Sequence, residues 1–483
     1  MTVVIAISPL AYLPQEYNHG HVGKTAAAQA RVRAFWAGAY AGGKAPHTAI
    51  EDASPLVIER LAHDGRGVAH AANGKTVFVD QALPGEQVDV AIHLTRKRFD
   101  EAHIKSLLST SELRVTPPCP HFGHCGGCDL QHLSVDAQRA HKREVVRDLF
   151  ARQGITLDDI GSIQGGDQGY RRRARLGVKV DSQGTTRLGF RAAHSHRLVD
   201  IERCPVLVDA LQRLLTPLRE LLSTLEAPRQ VGHIELLATA TAQVVLVRQL
   251  KEHAGDAERW QAFAQQQKVA LGTWLGRETP VLHWHGAAPT LEELLTVEGQ
   301  APLSLSFAPG DFLQVNAQVN QQMVAQVIQW LAPRSGQKLL DLFAGIGNFS
   351  LPIAAAGAEV HAVEGNPAMV ARIAINAKRN QLMVSGQQAD LNSAASVNAL
   401  LTEYGGSDAL VLDPPRSGAE VICQALARHP VPRVVYISCD PATLARDAAH
   451  LVHAGYRVKQ VAVADMFLHT AHMETLMLFE YGD

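Results

Sequence analysis

The sequence predicts a multidomain α/β protein with a small N-terminal β-barrel, a central α+β domain and a C-terminal doubly wound α/β domain. Its 483 residues correspond to about three domains at roughly 150 residues each. Between residues 54 and 110, short runs rich in β-branched residues are separated by turn signals, which is typical of a small barrel of the oligonucleotide-binding type. From residue 318 onward, apolar strands alternate with helical segments, which indicates a parallel sheet covered on both faces.

The composition is that of an ordinary globular protein, with 46% hydrophobic and 19% charged residues. The sequence contains no apolar stretch long enough to span a membrane. The first basic residue, Lys24, follows the N-terminal apolar run, which argues against a secretory signal and favours a cytoplasmic protein. Because the net charge is only −2, binding to a nucleic acid would depend on local basic patches.

The predicted domain boundaries follow these changes of pattern. Residues 1–48 have no clear period, and we expect a disordered leader there, with a weak RNA-tethering arm as the alternative. The barrel is expected over residues 49–112 and the central domain over residues 113–310. The doubly wound domain is expected over residues 311–483.

A glycine turn after an apolar strand is the central motif of the C-terminal domain. The run from Leu339 to Leu342 leads into Phe343-Ala344-Gly345-Ile346-Gly347, where small residues let the backbone approach a ligand closely. The next strand ends in Glu364, which could accept hydrogen bonds from both hydroxyls of a ribose. A G-x-G turn alone is weak evidence, and a dinucleotide site is the obvious competitor.

Two further acidic residues favour S-adenosylmethionine over a dinucleotide. Asp390 is expected near the end of the third strand, within reach of an adenine ring. Asp413 follows the fourth strand and precedes two prolines. Because ligands of such sheets bind outside the carboxyl ends of the strands, the methyl group would lie above this crevice.

A cysteine and a glutamate provide an acceptor chemistry. Cys439 follows an apolar strand, and Glu474 begins the last one. A thiolate that attacks C6 of uracil turns C5 into a nucleophile for the methyl group, and a base must then remove the C5 proton. A cysteine at a strand end is as often a small buried residue, the role that we expect for Cys423, so position alone leaves Cys439 open.

Four cysteines suggest a metal centre. Cys119, Cys125 and Cys128 lie within ten residues, and Cys204, which precedes a proline, is a plausible fourth ligand. Four thiolates suit zinc or an iron–sulfur cluster, and their spacing does not decide between the two.

Two basic segments are candidates for RNA contact. Residues 95–99 combine three adjacent charges with Phe99, and residues 170–175 form the densest arginine run. A solvated charged strand is the better interpretation of the first segment, and it is as good as RNA contact for the second.

Four motifs, LDLFAGIGNFSLPIA, VLDPPRSG, ISCDPATLARD and HTAHMET, closely resemble the RNA uracil-C5 methyltransferase family. The resemblance implies a Rossmann-like methyltransferase domain with Cys439 as the nucleophile and Glu474 as the proton acceptor. It also implies a set of contacts to S-adenosylmethionine: Gln314, Phe343, Gly345, Asn348, Glu364, Asp390 and Asp413.

The segment PCPHFGHCGGCDLQHL resembles the iron–sulfur segment of the ribosomal members of this family. It implies that Cys119, Cys125, Cys128 and Cys204 hold a 4Fe–4S cluster rather than zinc. Residues 54–110 resemble a TRAM domain, an RNA-binding barrel. Together the two features imply that the substrate is 23S ribosomal RNA, methylated at uracil 1939.

Other functions remain open from the residues alone. One is methylation of transfer RNA or of another ribosomal uridine, and another is a non-catalytic iron–sulfur protein that binds RNA. A DNA cytosine enzyme is disfavoured, since its nucleophile follows a proline whereas Cys439 follows Ser438. No feature of the sequence indicates a protein partner or a membrane, and we expect a monomer.

Overall fold

The computed structural model describes residues 55–193 and 195–482. The predicted leader, residues 1–48, lies outside these residues. Over the two described ranges, no helix is long and apolar enough to cross a membrane.

The N-terminal part is one six-stranded sheet. Its strands are β1 (Leu56–Val57), β2 (Arg60–Leu61), β3 (Gly67–His70), β4 (Thr76–Asp80), β5 (Gln87–Thr95) and β6 (Phe99–Leu107). They lie in the order β1-β5-β6-β4-β3-β2, and β1 also contacts β3 near the other edge, so the sheet curls towards a barrel. Alternate residues such as Val77, Val79 and Val88 fill its interior, as the period of two predicts.

A cysteine-bearing segment without regular structure follows the barrel. It leads into α1 (Val135–Ala151) and the short β7 (Gly161–Ile163). Buried residues of α1, among them Val146 and Phe150, join the core of the C-terminal domain rather than that of the central sheet.

The central part is a seven-stranded sheet with helices. Its strands are β8 (Arg173–Val180), β9 (Thr186–Arg191), β10 (Leu198–Asp200), β11 (Val231–Ala238), β12 (Gln243–Gln249), β13 (Ala270–Leu275) and β14 (Val281–Trp284). The helices are α2 (Asp209–Gln212), α3 (Leu215–Thr224) and α4 (Ala254–Gln267), with a 3₁₀ turn at Pro228–Gln230. The strand order is β10-β9-β8-β11-β12-β13-β14, and only β12 and β13 are parallel. The mixed α+β architecture confirms the predicted class.

A two-stranded hairpin and a long helix connect this sheet to the next. The hairpin consists of β15 (Leu291–Leu295) and β16 (Leu303–Phe307), and the helix is α5 (Ala317–Leu331). Asn316 caps α5 by accepting a hydrogen bond from the backbone N–H of Val319 at 3.2 Å.

The C-terminal sheet has eight strands. Seven of them are β17 (Lys338–Leu342), β18 (Glu359–Glu364), β19 (Val384–Gln388), β20 (Ala409–Leu412), β21 (Arg433–Ser438), β22 (Tyr456–Ala464) and β23 (Glu474–Tyr481). The helices are α6 (Ser350–Ala355), α7 (Pro367–Arg379), α8 (Ala394–Glu403), α9 (Glu420–Ala425) and α10 (Pro441–His453). The eighth strand is β7, which pairs with β22 at the edge of the order β19-β18-β17-β20-β21-β23-β22-β7.

Both faces of this sheet are buried, as a doubly wound fold requires. Leu340 and Leu342 of β17 pack on one side with α1, α8, α9 and α10, whereas Leu339 packs on the other with α5 and α6. Neighbouring strands from β19 to β21 are parallel, which confirms the prediction. However, β23 runs antiparallel to both β21 and β22, so the sheet is mixed.

Candidate active site

The turn after β17 has the backbone conformation that the glycine motif predicts. Phe343, Gly345 and Gly347 have φ values of 63°, 56° and 95°. A Cβ atom on Gly347 would lie 2.1 Å from the Leu351 side chain, so only glycine fits there. The turn therefore exposes its backbone at the carboxyl end of β17, next to β20, where the strand order changes direction.

Glu364 faces this turn from the end of β18. One carboxylate oxygen accepts a hydrogen bond from the N–H of Gly345 at 3.1 Å, and the other accepts from the N–H of Asn366 at 3.0 Å. These two bonds fix the carboxylate while each oxygen keeps a lone pair for a ligand hydroxyl.

Two aspartates interact electrostatically at neighbouring strands: Asp341 is buried within β17, and Asp413 directly follows β20. Burial raises the pKa of Asp341 to about 7, and burial together with the charge of Asp341 raises the pKa of Asp413 to about 7. Asp341 accepts a hydrogen bond from the Ser350 hydroxyl. The sequence motifs predict a role for Asp413 but not for Asp341, which lies within an apolar strand.

Asn348 is held by a second residue that the sequence analysis missed. Its side-chain amide exchanges two hydrogen bonds, of 2.8 and 3.0 Å, with the amide of Asn320 on α5. Asn320 is only 1% exposed, so the pair locks helix α5 against the glycine turn.

The remaining residues predicted to contact S-adenosylmethionine are spread around this crevice. Gln314 is buried in the loop before α5, where its carbonyl oxygen accepts from Nε of Arg172 at 2.9 Å. Asp390 is exposed just beyond β19, and it accepts from the N–H of Asn392 at 2.9 Å. Over the described parts of the chain, the hydrogen bonds of Asp390 are local, so its place beside the other predicted residues rests on the strand order.

Cys439 and Glu474 are neighbours across two antiparallel strands. Ser438, the last residue of β21, pairs with Thr475 of β23, so the register places Cys439 opposite Glu474. Asp440 caps α10 by accepting from the N–H groups of Ala442 and Thr443, both at 3.0 Å. The cysteine is therefore fixed between a strand end and a helix start, at the carboxyl edge of the sheet.

Burial and nearby acidic groups raise the pKa values of both residues. Burial and the neighbouring Glu474 raise the pKa of Cys439 to about 12. Burial and the charge of Asp413 raise the pKa of Glu474 well above its usual value. Arg416 lowers both pKa values, so its cation favours the thiolate and the carboxylate forms that catalysis needs.

Helix α1, far away in the sequence, supports the loop that precedes Glu474. Lys142 on α1 donates to Asp465 at 2.7 Å and to the carbonyl oxygen of Phe467 at 3.1 Å. His469 adopts a left-handed conformation with φ 71°, and its N–H donates to the Gln138 side chain at 3.0 Å. His469, whose role the sequence left open, is thus a structural residue of this loop.

The four predicted metal-binding cysteines approach one another. Burial raises the pKa of each thiol, and charge interactions with other members of the set raise the pKa values of Cys125, Cys128 and Cys204 further. Cys128 and Cys204 pack around the same apolar cluster. Even so, residues 55–193 and 195–482 contain no group of three or more potential ligands arranged to hold a metal ion. The donor set fits a thiolate-bound centre, whereas the spacing of the side chains is not that of a formed site.

Cys423 differs from these four. It lies in α9, is fully buried and packs in the apolar core, as the sequence analysis expected of a structural cysteine.

The two basic segments have different surroundings. Arg96, Lys97 and Arg98 are exposed between β5 and β6. Arg172 and Arg173 pair with Glu293 and Glu235 inside the central part of the molecule.

Comparison with known proteins identifies two family models in the chain. The model described as tRNA (uracil-5-)-methyltransferase matches residues 134–481, and the TRAM domain model matches residues 55–105.

Two relatives are described as 23S rRNA (uracil(1939)-C(5))-methyltransferase RlmD. The protein of Halomonas elongata is 59% identical over 434 residues, which cover 89% of this chain and 89% of the relative. The protein of Chromohalobacter salexigens is 54% identical over 428 residues, which cover 88% of this chain and 89% of the relative.

The fold is also similar to a solved structure, the tRNA (uracil-54, C5)-methyltransferase of Pyrococcus abyssi in complex with S-adenosyl-L-homocysteine. The TM-score is 0.69 at 23% identity, over 88% of this chain and 100% of the other. This likeness confirms the fold. The family model and the two relatives show that the chain belongs to the tRNA (uracil-5-)-methyltransferase family and is an S-adenosylmethionine-dependent uracil-C5 methyltransferase.

Proposed function

We propose that this enzyme methylates C5 of uracil 1939 in 23S ribosomal RNA, in the cytoplasm and as a monomer. The names of the relatives at 59% and 54% identity support this target, as does the TRAM domain ahead of the catalytic part. The exposed cations of Arg96, Lys97 and Arg98 suit contact with an RNA backbone.

The observation that carries the mechanism is the pairing of Ser438 with Thr475, which sets Cys439 beside Glu474. The thiolate of Cys439 attacks C6 of the uracil, and the electrons of the C5–C6 double bond move towards C5 and the C4 carbonyl. C5 then takes the methyl group from the sulfonium, which leaves as S-adenosylhomocysteine. The Glu474 carboxylate removes the C5 proton, the double bond re-forms and the thiolate of Cys439 leaves.

The donor would lie across the carboxyl ends of β17, β18 and β20. In this proposal Glu364 binds the ribose and Asp390 the adenine, while Asp413 and Asn348 line the crevice that holds the donor. Gly345 allows the close backbone approach. Gln314 and Phe343 complete the proposed set.

We also propose that Cys119, Cys125, Cys128 and Cys204 hold a 4Fe–4S cluster. A centre bound by four thiolates leaves no iron site open to the donor, so it supplies structural support and takes no part in methyl transfer. The protein groups around it suit such a role, because the Asp129 and Leu130 N–H groups donate to the carbonyl oxygen of His469 at 2.8 and 2.9 Å.

A methyl-transfer assay with labelled donor tests the target. Purified enzyme is incubated with unmodified 23S RNA and, separately, with unmodified transfer RNA. Label in a 23S fragment around position 1939 is expected, whereas label in transfer RNA alone would overturn the ribosomal assignment. Cys439→Ala is expected to abolish transfer to either RNA. Iron and sulfide analysis of anaerobically purified protein, with zinc as the contradicting result, tests the cluster.

A further inference from the structure

A cavity outside the proposed donor and nucleophile sites lies at the start of α5. It has a volume of about 210 Å³. Its walls come from the loop at residues 166–170, from the first residues of α5 and from two flanking side chains: Gly166, Gln168, Gly169, Tyr170, Arg172, Val208, Asn316, Ala317 and Gln318.

The cavity lies at a helix end that attracts negative charge. Helix α5 has 15 residues, and its N-terminus presents the free backbone N–H groups of Ala317 and Gln318 beside the positive end of the helix dipole. A helix start alone does not define a ligand site, so the side chains around it decide the question.

Two buried donors in the cavity walls lack partners. The Nδ2 atom of Asn316 and the Nη2 atom of Arg172 are buried and donate to no acceptor among the residues that the structure describes. Asn316 is 1% and Arg172 is 6% exposed. An unpaired buried donor is costly, which indicates that something absent from the protein chain accepts these hydrogens.

The geometry directs the amide of Asn316 at the glycine-containing loop. Its Oδ1 atom is used for the helix cap, so Nδ2 points the other way, and it lies 3.2 Å from where a Cβ atom of Gly165 would be. Arg172 is held by Glu293 through Nη1 and by the Gln314 carbonyl through Nε, which leaves Nη2 for a ligand. All the unsatisfied groups are donors, and the matching ligand is an anion.

We propose that this cavity binds one phosphate group of the RNA substrate, next to the methylated uridine. The proposal rests on the proposed function. The target base must leave its stack to reach Cys439, which brings the flanking phosphates against the protein beside the site. The cavity is close to both parts of the proposed active site. Asn316 is two residues from Gln314, and Tyr170 donates to the carbonyl oxygen of Leu468 in the loop that leads to Glu474.

Asn316→Asp tests the proposal with little change to the fold. Aspartate keeps the oxygen that caps α5 and is an equally good cap, but it replaces the Nδ2 donor with a negative charge. Gln329→Glu is the matched control, because it makes the same chemical change at an exposed site on the same helix, 13 residues and about 20 Å further along. Asn316→Ser removes the donor without adding charge and keeps a capping oxygen.

The measurement is the affinity for a single-stranded 23S fragment across a series of salt concentrations. Relative to the wild type, Asn316→Asp is expected to bind about tenfold more weakly at low salt, and the slope of log K against log salt should fall by about 0.7, the value for one phosphate on a single strand. Asn316→Ser should show a smaller loss. Gln329→Glu should match the wild type, and all variants should bind S-adenosylhomocysteine equally.

Three results would overturn the proposal. An unchanged salt slope in Asn316→Asp would show that no RNA phosphate is bound there. A parallel loss of S-adenosylhomocysteine affinity would assign the cavity to the cofactor. Stabilisation of the wild type, but not of Asn316→Asp, by inorganic phosphate with equal RNA affinity would assign it to free phosphate. If the slope falls while the wild type fails to methylate the fragment, the phosphate site stands and the proposed target is wrong.

Discussion

The hydroxyl of Tyr170 donates a 2.6 Å hydrogen bond to the carbonyl oxygen of Leu468, 298 residues further along the chain. Leu468 is 1% exposed and lies six residues before Glu474, the proposed base, so the bond ties the segment before the central sheet to the loop that leads to Glu474. Burial raises the pKa of Tyr170 far above its usual value, so the phenol stays a donor at every pH of interest.

Tyr170→Phe removes this donor and leaves a buried carbonyl oxygen unpaired. The expected cost is about 1–3 kcal/mol of local stability. We expect a lower kcat with little change in the affinity for S-adenosylmethionine, because the loop carries Glu474 and the donor site does not depend on it. Single-turnover methylation measures the catalytic rate, and calorimetric titration with S-adenosylmethionine measures the affinity. Equal kcat for variant and wild type would show that this contact does not position the base.

Loss of the proposed cluster at the four cysteines should also disturb the loop at residues 468–472. Asp129 follows Cys128 directly, and its carboxylate accepts from the N–H of Ala471 at 3.3 Å. Cys204→Ser is therefore expected to remove iron from the purified protein and to increase hydrogen exchange at residues 468–472. Cys423→Ser, at the buried cysteine outside the set, is the matched control and should retain iron. If the variant has lost its iron but hydrogen exchange in the loop is the same as in the wild type, the cluster does not support the active-site loop.

The sequence pointed to Cys439 and Glu474 because each lies where an apolar strand ends or begins, a position visible without coordinates. Asp341 was missed because it is a single polar residue inside an apolar strand, and Asn320 because it lies among other polar residues near the start of α5. Gln138 and Lys142 were missed for a different reason. They support residues more than 300 positions away, and no local pattern reports such a contact.

Some strands of the C-terminal sheet also have a strong local sequence signal, whereas others do not. The parallel strands β17, β18, β20 and β21 are apolar and were expected. Strand β22 alternates in its first half, and β7 has only three residues, so neither has a strong local signal. Strand β7 is specified by parallel pairing with β22, far along the chain, and β22 is specified by that contact and by antiparallel pairing with β23, so neither pairing was predicted.

Asn320→Ala tests whether the amide pair preorganises the donor site. Without its partner, Asn348 loses two hydrogen bonds, of 2.8 and 3.0 Å, and helix α5 loses a link to the glycine turn. We expect the dissociation constant for S-adenosylhomocysteine to rise about tenfold, which corresponds to about 1.4 kcal/mol. Gln329→Ala on the exposed face of α5 should bind as the wild type does. Unchanged binding by Asn320→Ala would show that the pair only stabilises the fold.

The buried Asp341 should make stability depend on pH. Its pKa is about 7 in the fold and about 3.9 in an unfolded chain, so the folded state holds the extra proton between these values. The contribution of this group is therefore fully present below about pH 4 and is lost as the pH rises through about 7. Asp341→Asn cannot ionise, so its stability relative to the wild type should rise across this window, by an amount on the order of a few kcal/mol. Urea unfolding at several pH values measures the difference, and a constant difference would contradict the raised pKa.

Glu474→Gln should separate methyl transfer from release of the enzyme. Burial, together with the charge of Asp413, raises the pKa of Glu474 and so favours its neutral form, which glutamine matches in charge and shape, so the fold should be unaffected. Attack by Cys439 and methyl transfer can still occur, but the C5 proton has no acceptor and the thiolate cannot leave. We expect turnover to fall by about 10² to 10⁴ and a methylated protein–RNA adduct to accumulate on a denaturing gel. The double variant with Cys439→Ala should form no adduct. An adduct that persists without Cys439 would assign the nucleophile to another residue, and rapid turnover by Glu474→Gln would assign the base elsewhere.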